Sequence, residues 1–159
     1  LPDEFMHGSP GFMKQMVDAY QNIGGNVISV LEVPRHAVSS YGVIAPGEAR
    51  GAITEVLGLV AKPKVEDAPS NLIVSGRYIL QPEVMHILEG QEKGAGGEIQ
   101  LTDAMAQMLG KQPFHAVTFD GNRYDCGSKV GYIEANLAVA LQRADMADEV
   151  RAIAVNLLK

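Results

Sequence analysis

Two carboxylates stand where predicted strands end, a placement suited to holding a metal beside a phosphorylated ligand. Asp3 follows an apparent strand end, and Asp125 follows the predicted strand 114–119 after a short turn. Ligands of open α/β sheets bind outside the carboxyl ends of the strands. Mg²⁺ prefers hard oxygen ligands together with substrate phosphates. The two residues are therefore a candidate Mg²⁺ pair, although their spacing alone fits ordinary turn positions better.

Two glycines and one lysine extend this set of candidates. Gly42 lies in a predicted strand, where a glycine either lets a ligand approach the backbone or marks a bulge. Gly76 has the same two interpretations. Lys62 follows a strand and precedes Pro63, so it either faces a phosphate or is a solvated surface lysine. Taken one at a time, these residues leave both interpretations open.

Other catalytic chemistries find no support in the sequence. The single cysteine, Cys126, has no C-x-x-C partner and no adjacent base. Neither a nucleophile elbow nor a Walker-type phosphate loop is present. The four histidines have no metal-ligand spacing; they are His7, His36, His86 and His115. Hydrolase, P-loop and histidine-metal classes are thus not indicated.

The composition is that of a globular protein of about one domain. The 159 residues are 47% apolar and 20% charged, which excludes a disordered tail, a collagen-like fibre and a disulfide scaffold. With 13 basic and 19 acidic residues, the net charge is −6, and no basic run indicates nucleic-acid binding. No apolar stretch reaches membrane-spanning length. One cysteine fits a reducing compartment, so we expect a cytoplasmic protein that binds neither nucleic acid nor membrane.

Predicted strands alternate with predicted helices along the chain. Ser9 is expected to cap the first helix and Thr102 a later one. Several strands are nearly continuous apolar runs, which indicates a sheet covered on both faces and hence an α/β fold. The expected strands are 26–33, 41–45, 53–60, 72–80 and 114–119, and the expected helices are 9–22, 82–88, 129–142 and a terminal one. Leu1-Pro2-Asp3 reads as the end of a strand and not as its beginning, so we expect part of a larger sheet.

The candidate residues fall within an ordered series of motifs. These are L-P-D at 1–3, Y-G-V at 41–43, K-P at 62–63, A-P-S-N at 68–71, G-R-Y at 76–78, G-A-G-G-E-I-Q-L-T-D at 94–103 and Y-D-C-G at 124–127. In these motifs the chain closely resembles the bacterial UTP–glucose-1-phosphate uridylyltransferase (UDP-glucose pyrophosphorylase) family. The resemblance implies a three-layer mixed-sheet, Rossmann-like fold. Residues 1–159 would be the C-terminal part of one nucleotidyltransferase domain, with the N-terminal strands missing.

The resemblance also implies a reaction and a role for each candidate. The reaction is UTP + glucose 1-phosphate ⇌ UDP-glucose + pyrophosphate, with Mg²⁺ as cofactor. Asp3 and Asp125 would be the metal ligands. Gly42 and Gly76 would lie at the sugar pocket, and Lys62 would be the catalytic residue that contacts the sugar phosphate. An in-line transfer of this kind needs positioning and charge neutralisation more than a general base.

Two departures from the family pattern leave alternatives open. Ala61 stands where the family has a glutamate expected to bind glucose hydroxyls, and the family's G-x-G-T-R nucleotide loop is absent. A thymidylyl- or adenylyltransferase acting on glucose 1-phosphate is one alternative. A non-catalytic module for sugar-nucleotide binding or oligomerisation is another, and the chain alone is expected to be inactive.

The C-terminal helices suggest self-association. The family resemblance implies a homo-oligomer that associates through this region. Residues 144–159 are expected to form a terminal helix used for oligomerisation. Val150, Ile153 and Leu157 are expected at a subunit contact, whereas Ile133 and Leu137 are expected to pack on the sheet. We therefore expect a homo-oligomer.

Overall fold

The computed structural model describes residues 3–94 and 97–159 of the chain, and these form two compact units. The first unit comprises the N-terminal residues as far as Ser9 together with Gly121–Lys159, and the second is Pro10–Asp120. None of the helices in the described ranges combines the length and apolar character that a membrane crossing requires. Whether the two units act as a single domain stays a prediction.

The second unit contains both strands and helices, but they alternate less regularly than the sequence predicts, because three of its strands follow one another with no helix between them. The strands are β1 (Glu4–His7), β2 (Asn26–Glu32), β3 (Gly42–Arg50), β4 (Ile53–Ala61), β5 (Leu72–Ile79), β6 (Phe114–Thr118) and β7 (Asn122–Asp125). The α-helices are α1 (Phe12–Ile23), α2 (Glu83–Gly90), α3 (Leu101–Met108), α4 (Lys129–Gln142) and α5 (Ala147–Leu157). A short 3₁₀ helix spans Arg35–Ser40.

The sheet of the second unit is mixed and closes on itself. Its strand order is β2-β5-β3-β4-β6. β2 pairs in parallel with β6, whereas the other pairings are antiparallel. The sequence prediction of an α/β fold with a mixed sheet is therefore confirmed.

Alternating residues of this sheet enter two separate apolar clusters. Ile44 and Val74 belong to the larger cluster, in which α2 and α3 contribute Val84 and Met105. Val43 and Ile73, one position away on the same strands, pack instead with Val38 of the 3₁₀ helix and with Ala68. Because successive side chains of a strand point to opposite faces, both faces of these strands are covered.

One side chain ties together the two ends of the second unit. Gln15 of α1 donates from Nε2 to the carbonyl oxygens of Pro10, at 2.8 Å, and Asp120, at 2.9 Å. The Asp120 amide donates back to Gln15 Oε1 at 3.0 Å. The points where the chain enters and leaves this unit are consequently held side by side.

The first unit is built on a short antiparallel ladder. Glu4 pairs with Asp125 and His7 with Asn122, so β1 and β7 run alongside each other. The carboxylate of Glu4, which is buried, accepts hydrogen bonds from the guanidinium of Arg123. This ion pair connects β1 to β7 on the buried side of the ladder.

Several local expectations differ from the structure. α1 begins after Gly11, so Ser9 does not cap it, and Gln100 rather than Thr102 occupies the position before α3. The segment expected to be a turn before Asp125 is strand β7. The predicted strand end at 1–2 and motif positions 95–96 lie outside the described residues.

The packing face of α4 also differs from the expectation, although its bounds are as predicted. α4 buries the small residues Gly131 and Ala135. Ile133 and Leu137, which were expected on the sheet, are 58% and 42% exposed. Small residues let the helix backbone approach β7 closely, and this turns the larger apolar side chains outward.

Candidate functional site

Asp3 and Asp125 lie next to each other at one end of the β1–β7 ladder. The Cys126 amide donates to the Asp3 carbonyl at 2.8 Å, which extends the ladder by one step. A Cβ placed on Gly127 would lie 2.9 Å from Asp3 Oδ2 and 3.1 Å from Asp125 Oδ1. The two carboxylate oxygens are therefore at most about 6 Å apart, a separation that one hydrated Mg²⁺ with phosphate ligands can span. Both side chains are exposed.

The turn after β7 fixes the position of the Asp125 carboxylate. Asp125 Oδ1 accepts a hydrogen bond from the Gly127 amide at 3.0 Å. The Ser128 hydroxyl donates to the Asp125 carbonyl at 3.1 Å and accepts from the Gly131 amide at 3.0 Å, so it caps α4. A Cβ on Gly131 would lie only 2.1 Å from the Asp125 carbonyl oxygen. The helix can approach the turn this closely only because residue 131 is glycine.

Gly42 and Lys62 lie together at one end of the β3–β4 pair in the second unit. Gly42 is opposite Ala61 in the antiparallel register. One step further, the Lys62 amide donates to the Tyr41 carbonyl at 2.9 Å. The lysine therefore directly follows the residue that pairs with Gly42, and its side chain is exposed.

The backbone of Lys62 is held in an unusual conformation. Its φ is +45°, and it is the one non-glycine residue with positive φ in the described part of the chain. For an L-residue this left-handed region costs about 1–2 kcal/mol. Such strain clusters at ligand-binding positions, and here it falls on the residue that the motifs assign to the sugar phosphate.

Gly76 occupies a bulge of β5 that is held by a buried hydroxyl. Its φ of +56° requires glycine. The Ser29 hydroxyl lies 2.9 Å from the Ser75 carbonyl and 3.2 Å from the Arg77 carbonyl, and the Arg77 amide lies 3.3 Å from it. Ser29 is fully buried. It thus fixes the backbone on both sides of Gly76.

The first turn of α3 packs against the same region of the second unit. A Cβ on Gly42 would lie 3.1 Å from Thr102 Oγ1 and 3.6 Å from Val74 Cγ2. The space beside the Gly42 Cα is therefore filled by α3 and β5. Val74 precedes Gly76 by two residues, so Gly76 belongs to the same neighbourhood.

The glycine-rich motif before α3 is shaped by a neighbouring carboxylate. The Gly94 amide donates to the Glu98 carbonyl at 2.9 Å, and the Gly97 amide donates to the Gly94 carbonyl at 3.0 Å. A Cβ on Gly94 would lie 2.6 Å from Asp103 Oδ2. Asp103, at the end of the motif, thus packs against its beginning.

The structure groups the five sequence-predicted site residues into two sets. Asp3 and Asp125 lie together in the first unit, and Gly42, Lys62 and Gly76 lie in one region of the second. From the placement of all five residues at strand ends or sheet-edge turns we expect them to converge on one crevice, and this stays a prediction.

Sequence reasoning missed two residues that support these groups. Ser29 is a polar residue within an otherwise apolar run of β2, and that contrast was the available signal. The ion pair of Glu4 with Arg123 gave no local signal because 119 positions separate its members.

Comparison with known proteins gives the class of the chain. The nucleotidyl transferase family matches residues 1–142. The chain therefore belongs to this family.

Named relatives narrow the resemblance further. The UTP–glucose-1-phosphate uridylyltransferase of Komagataeibacter xylinus is 49% identical over 130 residues, which are 82% of this chain and 46% of that protein. The enzyme of the same name from Staphylococcus epidermidis RP62A is 43% identical over 152 residues, or 96% of this chain and 53% of that protein. The resemblance to the uridylyltransferases drawn from the motifs is confirmed.

A solved structure agrees with these relatives. A UDP-glucose pyrophosphorylase crystallised with UDP-glucose superposes with a TM-score of 0.82 at 41% identity, covering 90% of this chain and 55% of that one. The chain thus spans about half the length of the relatives that it matches.

Proposed function

We propose that this chain contributes the sugar-phosphate and metal side of a UTP–glucose-1-phosphate uridylyltransferase. The reaction joins UTP and glucose 1-phosphate to give UDP-glucose and pyrophosphate. The observation that carries the proposal is the juxtaposition of Gly42 with the strained Lys62 at one end of the β3–β4 pair. The glycine lets Thr102 of α3 pack closely against the backbone at this strand end, and the exposed lysine next to it can hold the phosphate of a sugar that contacts that backbone.

The carboxylate pair fits a bound Mg²⁺. Asp3 and Asp125 present exposed oxygens to the same small space beside Gly127. Among residues 3–94 and 97–159, no group of three metal-ligating side chains occurs. Two carboxylates are sufficient for Mg²⁺, which usually keeps several waters and takes its remaining ligands from substrate phosphates. When bound, the ion would neutralise charge on the triphosphate.

In the proposed mechanism the protein positions the reactants and balances their charge. A phosphate oxygen of glucose 1-phosphate forms a bond to the α-phosphorus of UTP. The bond from that phosphorus to the oxygen bridging to the β-phosphorus breaks, and pyrophosphate leaves with that electron pair. The Lys62 ammonium holds the attacking phosphate and offsets its charge, while the Gly42 backbone orients the sugar. Preorganised charge of this kind contributes most where water is excluded.

Titration of UDP-glucose into the chain tests the assigned residues. We expect binding that requires Mg²⁺ and weakens at least tenfold in Lys62→Ala, since a hydrogen bond to a charged group contributes about 1.5–3 kcal/mol. Lys64→Ala is the matched control, because Lys64 is an exposed lysine only two residues away. Equal affinity of the two variants would remove Lys62 from the site.

Turnover tests the reaction itself. We expect no uridylyltransferase activity from the 159-residue chain alone, because the family's nucleotide loop is outside its sequence. Joined to the part of the Komagataeibacter xylinus relative that lies outside the match, the chain should release pyrophosphate from UTP and glucose 1-phosphate. The joined protein takes its nucleotide loop from a uridylyltransferase, so the choice of nucleobase is tested on the full-length parent protein instead. Turnover there with dTTP or ATP in preference to UTP would favour the thymidylyl- or adenylyltransferase alternative.

A binding module without catalysis is the second candidate, and Ala61 favours it. Ala61 stands opposite Gly42 in the β3–β4 register, where the family resemblance calls for a sugar-binding glutamate. An unpaired sugar hydroxyl costs about 1–3 kcal/mol. Ala61→Glu in the joined protein should therefore lower the KM for glucose 1-phosphate about tenfold. No turnover in either form of the joined protein, combined with UDP-glucose binding, would establish the non-catalytic alternative.

We further propose a cytoplasmic homo-oligomer. Cys126 is a free thiol, which fits a reducing compartment. On α5, Ile153 and Leu157 are 52% and 82% exposed, which suits a helix that contacts a second copy. Light scattering of the wild-type chain and of Ile153→Asp measures this directly, and a wild-type monomer at high concentration would refute the oligomer.

A further inference from the structure

Lys62 begins the loop that joins β4 to β5, and its backbone conformation is unfavourable on two counts. Its φ of +45° lies in the left-handed region, and it precedes Pro63, which is buried. A residue before proline favours extended backbone, so the loop 62–71 starts against the local preference of the chain. A conformation of this kind persists only where the surrounding structure holds it.

The end of this loop is held by the guanidinium of Arg35. Arg35 donates from Nη2 to the Ala68 carbonyl at 2.7 Å and from Nη1 to the Ser70 carbonyl at 3.1 Å. Because a guanidinium is a rigid planar fork, it fixes the two carbonyls relative to each other. The Ser70 hydroxyl donates in turn to the Ile44 carbonyl of β3 at 2.6 Å and accepts from the Leu72 amide at 3.1 Å. The end of the loop is thereby attached to the sheet.

The 3₁₀ helix contacts the loop at both of its ends. Arg35 is the first residue of this helix, and Tyr41 directly follows its last one. The Tyr41 carbonyl accepts the hydrogen bond of the Lys62 amide at the start of the loop. Between these two contacts, Val38 is fully buried and belongs to the same apolar cluster as Ala68. One short element therefore fixes where the loop begins and where it ends.

From these contacts we infer that Arg35 is a positioning residue for Lys62. While both ends of the loop are held, the chain leaves β4 through a left-handed residue. When the end at Ala68 is released, Lys62 returns to the extended backbone that Pro63 favours, and its ammonium moves away from the sugar phosphate. The inference rests on the phosphate contact of Lys62 proposed above. Arg35 acts through the loop, since both of its terminal nitrogens already donate to loop carbonyls.

Nuclear magnetic resonance of the ligand-free chain tests the inference. The amide proton of a residue with positive φ lies closer to its own Hα than in extended backbone, so its intraresidue NOE is stronger. We expect a strong NOE at Lys62 in the wild type and an NOE weaker by about twofold or more in Arg35→Met, as φ returns to about −75°. Arg50→Met is the matched control, because Arg50 is an exposed arginine that pairs with Glu48 at the other end of β3. It should leave the NOE unchanged.

Arg35→Lys separates the hydrogen-bonding geometry of Arg35 from its charge. Lysine keeps the positive charge but lacks the planar fork, so we expect a weakened NOE at Lys62 in this variant too. Arg35→Lys is also the milder substitution, and it supplies the measurement if Arg35→Met does not fold. Circular dichroism of each variant verifies the fold.

Titration of UDP-glucose in the presence of Mg²⁺ connects the backbone of Lys62 to the ligand. We expect Arg35→Met to weaken binding about tenfold, because the apparent affinity falls with the fraction of chains in which Lys62 keeps the left-handed conformation. In a Lys62→Ala background, where the ammonium is absent, Arg35→Met should cause no further loss. A purely structural role of Arg35 would lower the affinity equally in both backgrounds.

Two outcomes would overturn the inference. One is an unchanged NOE at Lys62 in the Arg35 variants. The other is an equal loss of affinity with and without the Lys62 side chain, which would mean that Arg35 contacts the ligand itself or only stabilises the fold. A wild-type chain that does not bind UDP-glucose would refute the phosphate contact of Lys62, and the NOE alone would then decide whether Arg35 holds the Lys62 backbone.

Discussion

Replacing Gly42 with alanine tests whether α3 fixes the position of this strand. The new Cβ would lie 3.1 Å from Thr102 Oγ1, 3.3 Å from Thr102 Cγ2 and 3.6 Å from Val74 Cγ2. The first two distances are tighter than ordinary contacts, so the helix or the strand must move by a few tenths of an ångström. Overpacking of this kind costs about 1–3 kcal/mol, whereas replacing a strand glycine recovers about 0.5–1 kcal/mol of chain entropy.

The expected net loss is therefore about 1 kcal/mol in the free energy of unfolding. For a chain of this size it lowers Tm by about 2–4 °C. Thermal and urea unfolding of Gly42→Ala, Thr102→Ala and the double variant measure it. Because Thr102→Ala removes both close atoms, Gly42→Ala should be neutral or stabilising in that background. Gly90→Ala is the control, since a Cβ there meets nothing within 4 Å.

Two results would refute this reasoning. One is a Gly42→Ala variant as stable as the wild type. The other is an equal loss with and without the Thr102 side chain, because contacting residues should show a coupling energy of about 0.5–3 kcal/mol. Either result would mean that Gly42 is not held by packing against α3.

Three further substitutions probe the rest of the site. Gly131→Ala should lower the free energy of unfolding by more than about 3 kcal/mol, which exceeds the usual cost of overpacking, because its Cβ would lie 2.1 Å from the Asp125 carbonyl oxygen. Urea unfolding measures this loss, and a stable variant would contradict the close approach of α4. Lys62→Gly should leave the free energy of unfolding unchanged or raise it by up to about 1 kcal/mol, since glycine relieves the left-handed strain. In the same variant, calorimetry should show UDP-glucose binding at least tenfold weaker. A clear loss of stability would argue against strain at that position. Ser29→Ala should cost about 1–3 kcal/mol through lost buried hydrogen bonds, and amide exchange should speed up around Gly76; unchanged exchange there would show that the bulge holds without the hydroxyl.

The sequence predicted the elements with a strong local period and missed those made by distant pairing. The expected helix 129–142 matches the bounds of α4, because the apolar residues of this segment follow a regular helical spacing. β1 and β7 were missed because each is four residues long and partly charged. Their strand character comes from pairing across more than a hundred positions, which no local pattern encodes.

The sequence supplies candidate residues for the site, whose roles stay predictions, but it does not supply the contacts that hold them in place. Motif resemblance found Asp125 and Lys62, whereas the reasons for their positions are contacts formed only in the folded chain. The left-handed backbone of Lys62 and the close approach of Gly131 to Asp125 are both of this kind. The packing face of α4 was predicted wrongly because apolar periodicity identifies a stripe without saying what covers it.

The Gln15 hydrogen bonds between Pro10 and Asp120 affect how the chain reaches this structure. The Asp3–Asp125 pair needs residues from both ends of a long intervening segment, so during synthesis it cannot form until residue 125 has been made. When the second unit folds first, Gln15 holds its entry and exit together. The loop that closes when Asp3 meets Asp125 then contains a few residues instead of more than a hundred. Because each doubling of loop length costs roughly 0.6 kcal/mol, the shorter loop lowers the entropic cost of closure by about 2 kcal/mol. Gln15 of α1 thus favours formation of the Asp3–Asp125 pair, although it contacts neither carboxylate through this role.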